Sequence, residues 1–436
     1  MRAVLFSLLL LVGACATAPD DVTTGHPGVA PDSLDAIAED YVHLILDIGE
    51  LEPGYVDAYY GPTEWQAAAK AETETADQLI QRAAYLSGRL ADLDRNGPAG
   101  ATPADMQRRK YLDAHVAAAS ARLRMLSGEK MSFADEAEAL FGIRPELLPL
   151  ASYDPILAEI DALLPGEGSL TDRVTAFRAD YVIPKDRLQA VMDAAIAECR
   201  TRTVRHIALP ANERFTLSFV GDKPWSGYNY YLGDAASRIE INADFPIYTE
   251  RAIDLGCHEG YPGHHVYNAL LERTFVRERG WVEMSVYPLF SPMSFVAEGS
   301  ANYGIDLAFP GDEGTAFERD VLFPLAGLDP STAEKKAQLG ALTRRLARAE
   351  YTIADDWLAG RIERAEAIRR LMTYTLADEA KATQRLRFID TYRSYIINYG
   401  LGRDTVQAWV ERQGPDRWEG METLLSSQIL PVDLVE

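Results

Sequence analysis

The chain has 436 residues, 47% of them hydrophobic, and carries 43 Lys plus Arg against 66 Asp plus Glu, a net charge of −23 with histidine neutral. That apolar share is enough to build a large core. So acidic a surface repels phosphate backbones and anionic lipid, which argues against nucleic acid as a partner.

Residues 1–14 read as an export signal. Arg2 precedes the apolar runs Ala3–Phe6 and Leu8–Val12, too short to span a bilayer but suited to a signal peptide. The run closes on Leu11-Val12-Gly13-Ala14-Cys15, which resembles the lipobox of bacterial lipoproteins. That resemblance implies a lipid anchor on Cys15 and a place in the cell envelope, with Ala16 favouring the outer membrane. The alternative is a secretory signal cleaved nearby, leaving a soluble periplasmic protein. Residues 15–32 contain Pro19, Gly25, Pro27, Gly28 and Pro31 without apolar periodicity, and read as a tether.

From Ser33 to residue 436 no second linker interrupts the chain. The spacing predicts a mostly α fold, one large helical body around a metal-site cleft. Ser33 is a good N-cap, and Ile37, Tyr41, Leu44, Ile45 and Ile48 recur at helical spacing. Similar patterns cover 63–93, 104–127, 153–163, 170–181, 185–204, 331–360 and 363–397. A small antiparallel β element is expected near 213–243. There Phe215–Val220 and Arg238–Asn242 alternate with period two around a turn-rich aromatic loop, Gly221–Tyr228. An exposed edge of that element could hold an extended peptide.

Residues 258–265, His-Glu-Gly-Tyr-Pro-Gly-His-His, hold three of the chain's seven histidines. Imidazoles and a carboxylate suit Zn²⁺, although Mn²⁺ or Co²⁺ accept the same donors. On a straight helix His264 would stand about 120° off the face of His258, and His265 would return to it only about 10 Å along the axis. Pro262 and Gly263 therefore predict a kink at 260–263 that brings an imidazole back toward His258. His264 is the nearer choice, with His265 substituting for it or binding substrate. Glu298, in Ala-Glu-Gly-Ser-Ala-Asn-Tyr, is the third expected ligand, and Glu259 is a free carboxylate beside the site. Cys257 adjoins His258, but a disulfide with Cys199 or a buried thiol is a better reading than thiolate ligation. The single histidines His43, His115 and His206 read as core or surface residues.

The segment His258–His265, followed by Glu298-Gly299-Ser300-Ala301-Asn302-Tyr303, resembles the bacterial family catalogued as domain of unknown function 885. Weaker matches are Gly54–Pro62 and Tyr395, Tyr399 and Gly402. Val266-Tyr267 and Ser300 depart from the family pattern. Members of that family look like helical zinc peptidases of the thimet-oligopeptidase and carboxypeptidase Taq type. The resemblance implies His258, His264 and Glu298 as zinc ligands, Glu259 as general base, and a peptide substrate. Tyr399 and Tyr395 follow as oxyanion donors, with Tyr303 as another candidate. Arg393 and Arg403 are candidate anchors for a substrate carboxylate. Two other readings stay open: a non-catalytic metal-binding lipoprotein, and a metalloamidase acting on cell-wall fragments. The chain has neither a phosphate-binding Gly-rich loop nor a Gly-x-Ser-x-Gly elbow.

Overall fold

The structure is a computed structural model that describes residues 33–96, 101–223 and 225–436. The expected signal peptide and tether lie outside the described residues. Ser33 caps the helix Leu34–Leu51, its hydroxyl accepting from the Ala36 amide at 3.2 Å. The expected stripe of Ile37, Tyr41, Leu44, Ile45 and Ile48 is wholly buried. Each such aliphatic side chain contributes roughly 1.5–3 kcal/mol by leaving water. A capping box between Thr102 and Asp105 opens Pro103–Leu126, with proline at the first helical position.

Three expected helical stretches are broken in two. They become Thr63–Ala71 and Ala76–Asn96, Ala333–Leu346 and Ala349–Leu358, and Arg364–Thr375 and Glu379–Tyr392. Leu376 adopts a positive φ of 52° at the last break, and the Asp378 side chain restarts the helix by accepting from the Lys381 amide at 2.8 Å. Both halves pack on the core, so the apolar period continues across the gap and hides it. One buried apolar cluster runs from Ile37 to Leu434. A smaller one gathers Ile160, Val174, Leu339 and Leu346.

Five short strands lie against this body: β1 (Val56–Tyr59), β2 (Arg214–Val220), β3 (Gly227–Gly233), β4 (Ala236–Asn242) and β5 (Val286–Pro288). The element near 213–243 is a mixed sheet of order β2-β4-β3, with β4 antiparallel to β3 and parallel to β2. β3 grows out of the segment read as an aromatic loop. Its turn into β4 is closed by Asp234 and Ala235 at φ 55° and 50°. β1 and β5 form a separate antiparallel pair whose register shifts between Val56 and Ala58, leaving Asp57 at a bulge. Such bulges re-aim a side chain. Among the described residues no helix is long and apolar enough to cross a membrane.

The helices Pro292–Ala308 and Ile397–Gln413 touch backbone to backbone at Gly299 and Gly402. A Cβ added to Gly299 would stand 2.7 Å from the Gly402 carbonyl, and one added to Gly402 would stand 3.1 Å from the Gly299 Cα. Glu298 sits directly before this crossing on one helix, and Tyr399 one turn before it on the other. Overpacking of this kind typically costs about 1–3 kcal/mol. Gly299→Ala is therefore expected to lower unfolding stability in urea by about that amount and to weaken metal retention in parallel. An unchanged urea midpoint would show that the crossing has slack.

Candidate metal centre

The helix Thr249–Leu255 continues through Gly256–Gly260 with widened turns, the Tyr261 amide bonding back to the Gly256 carbonyl at 3.2 Å. Widened turns of this kind recur at functional sites. The chain then bends through a cis Tyr261-Pro262 bond, and a new helix starts at His264. Gly263 is required by the bend, because a Cβ there would lie 1.8 Å from the His258 carbonyl oxygen. The kink expected at 260–263 is thus present, and it begins one turn earlier than expected.

It brings the first and second histidines together. His258 Nε2 and His264 Nε2 are 3.1 Å apart, and Glu298 Oε2 lies 3.2 Å from the former and 3.6 Å from the latter. These three atoms form a group able to hold a metal ion. Ligands about 2.0–2.1 Å from a tetrahedral Zn²⁺ stand roughly 3.3 Å from one another, so the spacing fits. A second observation fits as well: Glu298 Oε2 is buried without a hydrogen-bond partner. The other carboxylate oxygen, Oε1, accepts from the Tyr395 hydroxyl at 2.7 Å. The His258 and His264 side chains keep 13% and 12% of their surface open, enough to leave a further coordination position facing the cavity.

His265 turns elsewhere. Consecutive helical residues diverge by about 100°, and its Nδ1 meets the Ser237 hydroxyl at 2.8 Å while its Nε2 meets Glu213 at 3.2 Å. Glu213 also accepts from the Tyr261 hydroxyl at 2.6 Å and pairs with Arg200. Burial alone would raise this carboxyl, but His265, Tyr261 and Arg200 hold it down to about 2. His265 therefore fastens the bend to the sheet, and both its nitrogens are already engaged. Cys257 is joined to Cys199 in a disulfide, with Cα atoms 5.4 Å apart, which removes it as a ligand and ties the segment to the helix Leu188–Thr203.

A cavity of about 840 Å³ opens over the cluster and is lined by His258, Glu259, His264, Glu298, Tyr395 and Tyr399. Glu259 is buried, and β3 passes so close that a Cβ on Gly227 would stand 3.0 Å from its Oε1. The Asn229 amide donates to the Glu259 carbonyl at 2.7 Å. The Tyr399 ring lies 6.4 Å from that of His258. Tyr303 is buried but does not line this cavity. Arg393 and Arg403 are committed elsewhere: Arg393 pairs with buried Glu136 at 2.7 Å, and Arg403 pairs with Asp306 at 2.7 Å. Neither is available as a carboxylate anchor.

Sequence reasoning passed over Asp57 and Tyr228. The β1 bulge points Asp57 into the cavity, where the Tyr228 hydroxyl donates to it. Burial pushes Asp57 up to about 6, against the pull of Tyr228 and His264. The only sequence signal was the weak match at Gly54–Pro62.

Electrostatics couple the cluster. Burial disfavours a charged imidazole, but the Glu298 carboxylate outweighs it and pushes His264 up to about 9. Burial likewise opposes ionised Glu298, yet His264 and His258 hold its carboxyl well below the usual range.

No family model and no curated protein matches the chain. Among solved structures, a protein from Colwellia psychrerythraea described as a "putative lipoprotein" superposes with a TM-score of 0.50 at 14% identity, over 84% of this chain and 70% of that one. Another, from Shewanella oneidensis and described as a "putative lipoprotein of unknown function", gives 0.41 at 14% identity, over 85% and 74%. At this identity the likeness concerns the fold alone.

Two outcomes follow. A metal ion must displace the proton on His264, so apparent affinity should rise with pH up to about 9 and fall below it, by at most tenfold per unit. Competition with a chromophoric chelator between pH 6 and pH 9 measures this, and a flat profile contradicts the assigned ligand. Tyr395→Phe should keep metal stoichiometry but weaken affinity about 10–100-fold, the usual loss when a group orienting a ligand is removed. The same competition assay reads it.

Proposed function

We propose that the protein is a zinc metallopeptidase of the cell envelope, acting on short or unfolded peptides and held to a membrane through Cys15. The observation carrying this reading is the convergence of His258, His264 and Glu298 with Glu259 on the wall of one cavity. The order of these residues resembles that of the family catalogued as domain of unknown function 885, and the lipid anchor accords with the words describing the Colwellia structure. The Cys199–Cys257 disulfide accords with an oxidising compartment.

His258, His264 and Glu298 would hold the ion, which when bound supplies a Lewis acid for a carbonyl and lowers the pKa of water toward about 7. Glu259 has a carboxylate at the cavity wall and takes the proton of the attacking water, then returns it to the departing amine. Its backbone carbonyl accepts from the Asn229 side chain at 2.7 Å, and Gly227 of β3, lacking a side chain, leaves room for the carboxylate. Tyr399 stands beside His258 and offers a hydroxyl to the oxyanion as it forms. Burial beside Glu298 and Glu259 pushes that hydroxyl well above its ordinary pKa, so it remains a donor. Tyr395 is a positioning residue: its hydroxyl fixes the orientation of Glu298. A cavity of about 840 Å³ suits a short or unfolded peptide.

Glu259→Gln tests the reading. The variant should bind one metal ion as the wild type does and lose at least about 10²-fold in peptide turnover, the usual contribution of a general base. Metal analysis and cleavage of a peptide library, with and without chelator, measure both. Wild-type protein that binds metal and cleaves nothing would favour the non-catalytic reading, and cleavage confined to cell-wall amides would favour the amidase.

A further inference from the structure

The helix Glu379–Tyr392 presents Lys381, Arg385, Phe388 and Tyr392 to the cavity, residues spaced to share one face. Its C-terminal end is aromatic and adjoins the metal cluster, with the Phe388 ring 6.2 Å from that of Tyr399. Its N-terminal end is cationic, in a chain whose net charge is −23. Arg251 lines the same end of the cavity from the helix Thr249–Leu255, which leads directly into His258.

These cations differ in what they already hold. Arg251 pairs with Asp254 at 3.0 Å, and Arg385 pairs with Glu350. Nearby Lys336 is shared by Glu250 and Glu318, at 2.9 and 2.8 Å. Lys381 has no such partner. Among the described residues no carboxylate pairs with its ammonium, which donates to the neutral Gln384 Oε1 at 2.7 Å and lies 4.9 Å from the Phe245 ring centroid. Asp378, three residues earlier, spends its carboxylate on the Lys381 amide rather than the ammonium. Burial, with the charges of Arg385 and Arg251, brings the ammonium down to about 8, so an incoming anion would relieve it.

We propose that Lys381, flanked by Arg251 and Arg385, is the anchor for a substrate carboxylate. This deepens the peptidase reading and rests on it for the identity of the substrate. The carboxylate belongs either to the peptide C-terminus or to an acidic side chain. Seven residues of helix separate Lys381 from Phe388, about 10 Å. An extended peptide covers that span with about three residues. From Phe388 the path to the cluster passes the Tyr399 ring, 6.2 Å on, and then the His258 ring, a further 6.4 Å, so the anchored group lies several residues beyond the bond presented to His258, His264 and Glu298. Together the anchor and the metal cluster would select short peptides by the distance between a charge and a scissile bond.

Calorimetric binding to the metal-loaded Glu259→Gln protein tests the anchor without depending on turnover. Three matched hexapeptides are compared: a free C-terminal acid, its amide, and an amide with glutamate as the last residue. At least one of the two carboxylate-bearing peptides, the free acid or the glutamyl amide, should bind at least tenfold more tightly than the plain amide. Adding Lys381→Met should abolish that difference, and adding Lys381→Arg should preserve it, with metal content and melting temperature unchanged in both. If the glutamyl amide matches the acid, the anchor reads side-chain carboxylates; if it matches the plain amide, the anchor reads the C-terminus. Equal affinity for all three peptides, including no binding by any, overturns the proposal. Turnover of the same peptides by wild-type protein is scored separately, so absence of cleavage counts against the peptidase reading and leaves the anchor comparison intact.

Discussion

A carboxylate oxygen with no hydrogen-bond donor, set between two imidazole nitrogens, is the constraint on which the site depends. Leaving a buried acceptor unpaired costs about 1–3 kcal/mol, and more when it is charged. Glu298 Oε2 is in that position, while the other oxygen is fully engaged by Tyr395. The surrounding structure keeps it there. The missing side chains at Gly299 and Gly402 let the two helices approach backbone to backbone beside it. Glu136, buried more than 250 residues earlier, accepts from the Ser394 amide at 3.1 Å and hydroxyl at 2.7 Å, and pairs with Arg393. Arg393 itself holds a positive φ of 52°. The turn that carries Tyr395 to Glu298 is thus fastened by an acid from another part of the chain.

The histidine segment solves the complementary problem of bringing together residues that a straight helix would separate. Three devices act within ten residues. Widened turns at Gly256–Gly260 rotate His258 toward the cavity, the glycine at 263 lets the chain pass over the His258 carbonyl, and the disulfide at Cys257 ties the segment to a second helix. His265 completes the arrangement from the opposite side, anchored to Ser237 and Glu213. Two adjacent histidines therefore do different work: one faces the cation site, and the other holds the bend that aims it.

Much of this was legible in the sequence, because local chemistry dictates it. Pro262-Gly263 cannot continue a helix, and the stripe from Ile37 to Ile48 can only be one buried face. The third strand was hidden because its residues, Gly227–Gly233, are glycine and aromatic rather than alternating, and their pairing depends on a turn through Asp234 and Ala235. Asp57 was hidden for a different reason. Nothing in Val-Asp-Ala-Tyr signals a bulge, which exists only once β5 pairs with β1 from some 230 residues away. Arg393 and Arg403 were candidate carboxylate anchors, but Glu136 pairs with the first and Asp306, with the adjacent Asp404, pairs with the second. Long-range pairing is what one chain read linearly does not reveal.

The charge distribution in the cavity follows from the same separation of local and long-range effects. Acids dominate the whole chain, yet those in this cavity are largely consumed: Glu298 at one oxygen by Tyr395, Asp57 by Tyr228, Asp254 by Arg251, Glu250 and Glu318 by Lys336. Glu259 is bonded through its backbone carbonyl to Asn229, which fixes its position without occupying its carboxylate. At the other end, the Lys381 ammonium keeps a neutral partner where its neighbours have acids. The helix Glu379–Tyr392 carries Lys381 at one end and Phe388 and Tyr392 toward the metal cluster, and an α-helix fixes the rise between them at about 1.5 Å per residue. An unspent base at one end and an unspent cation at the other make the length of the bound molecule a matter of geometry as much as of affinity.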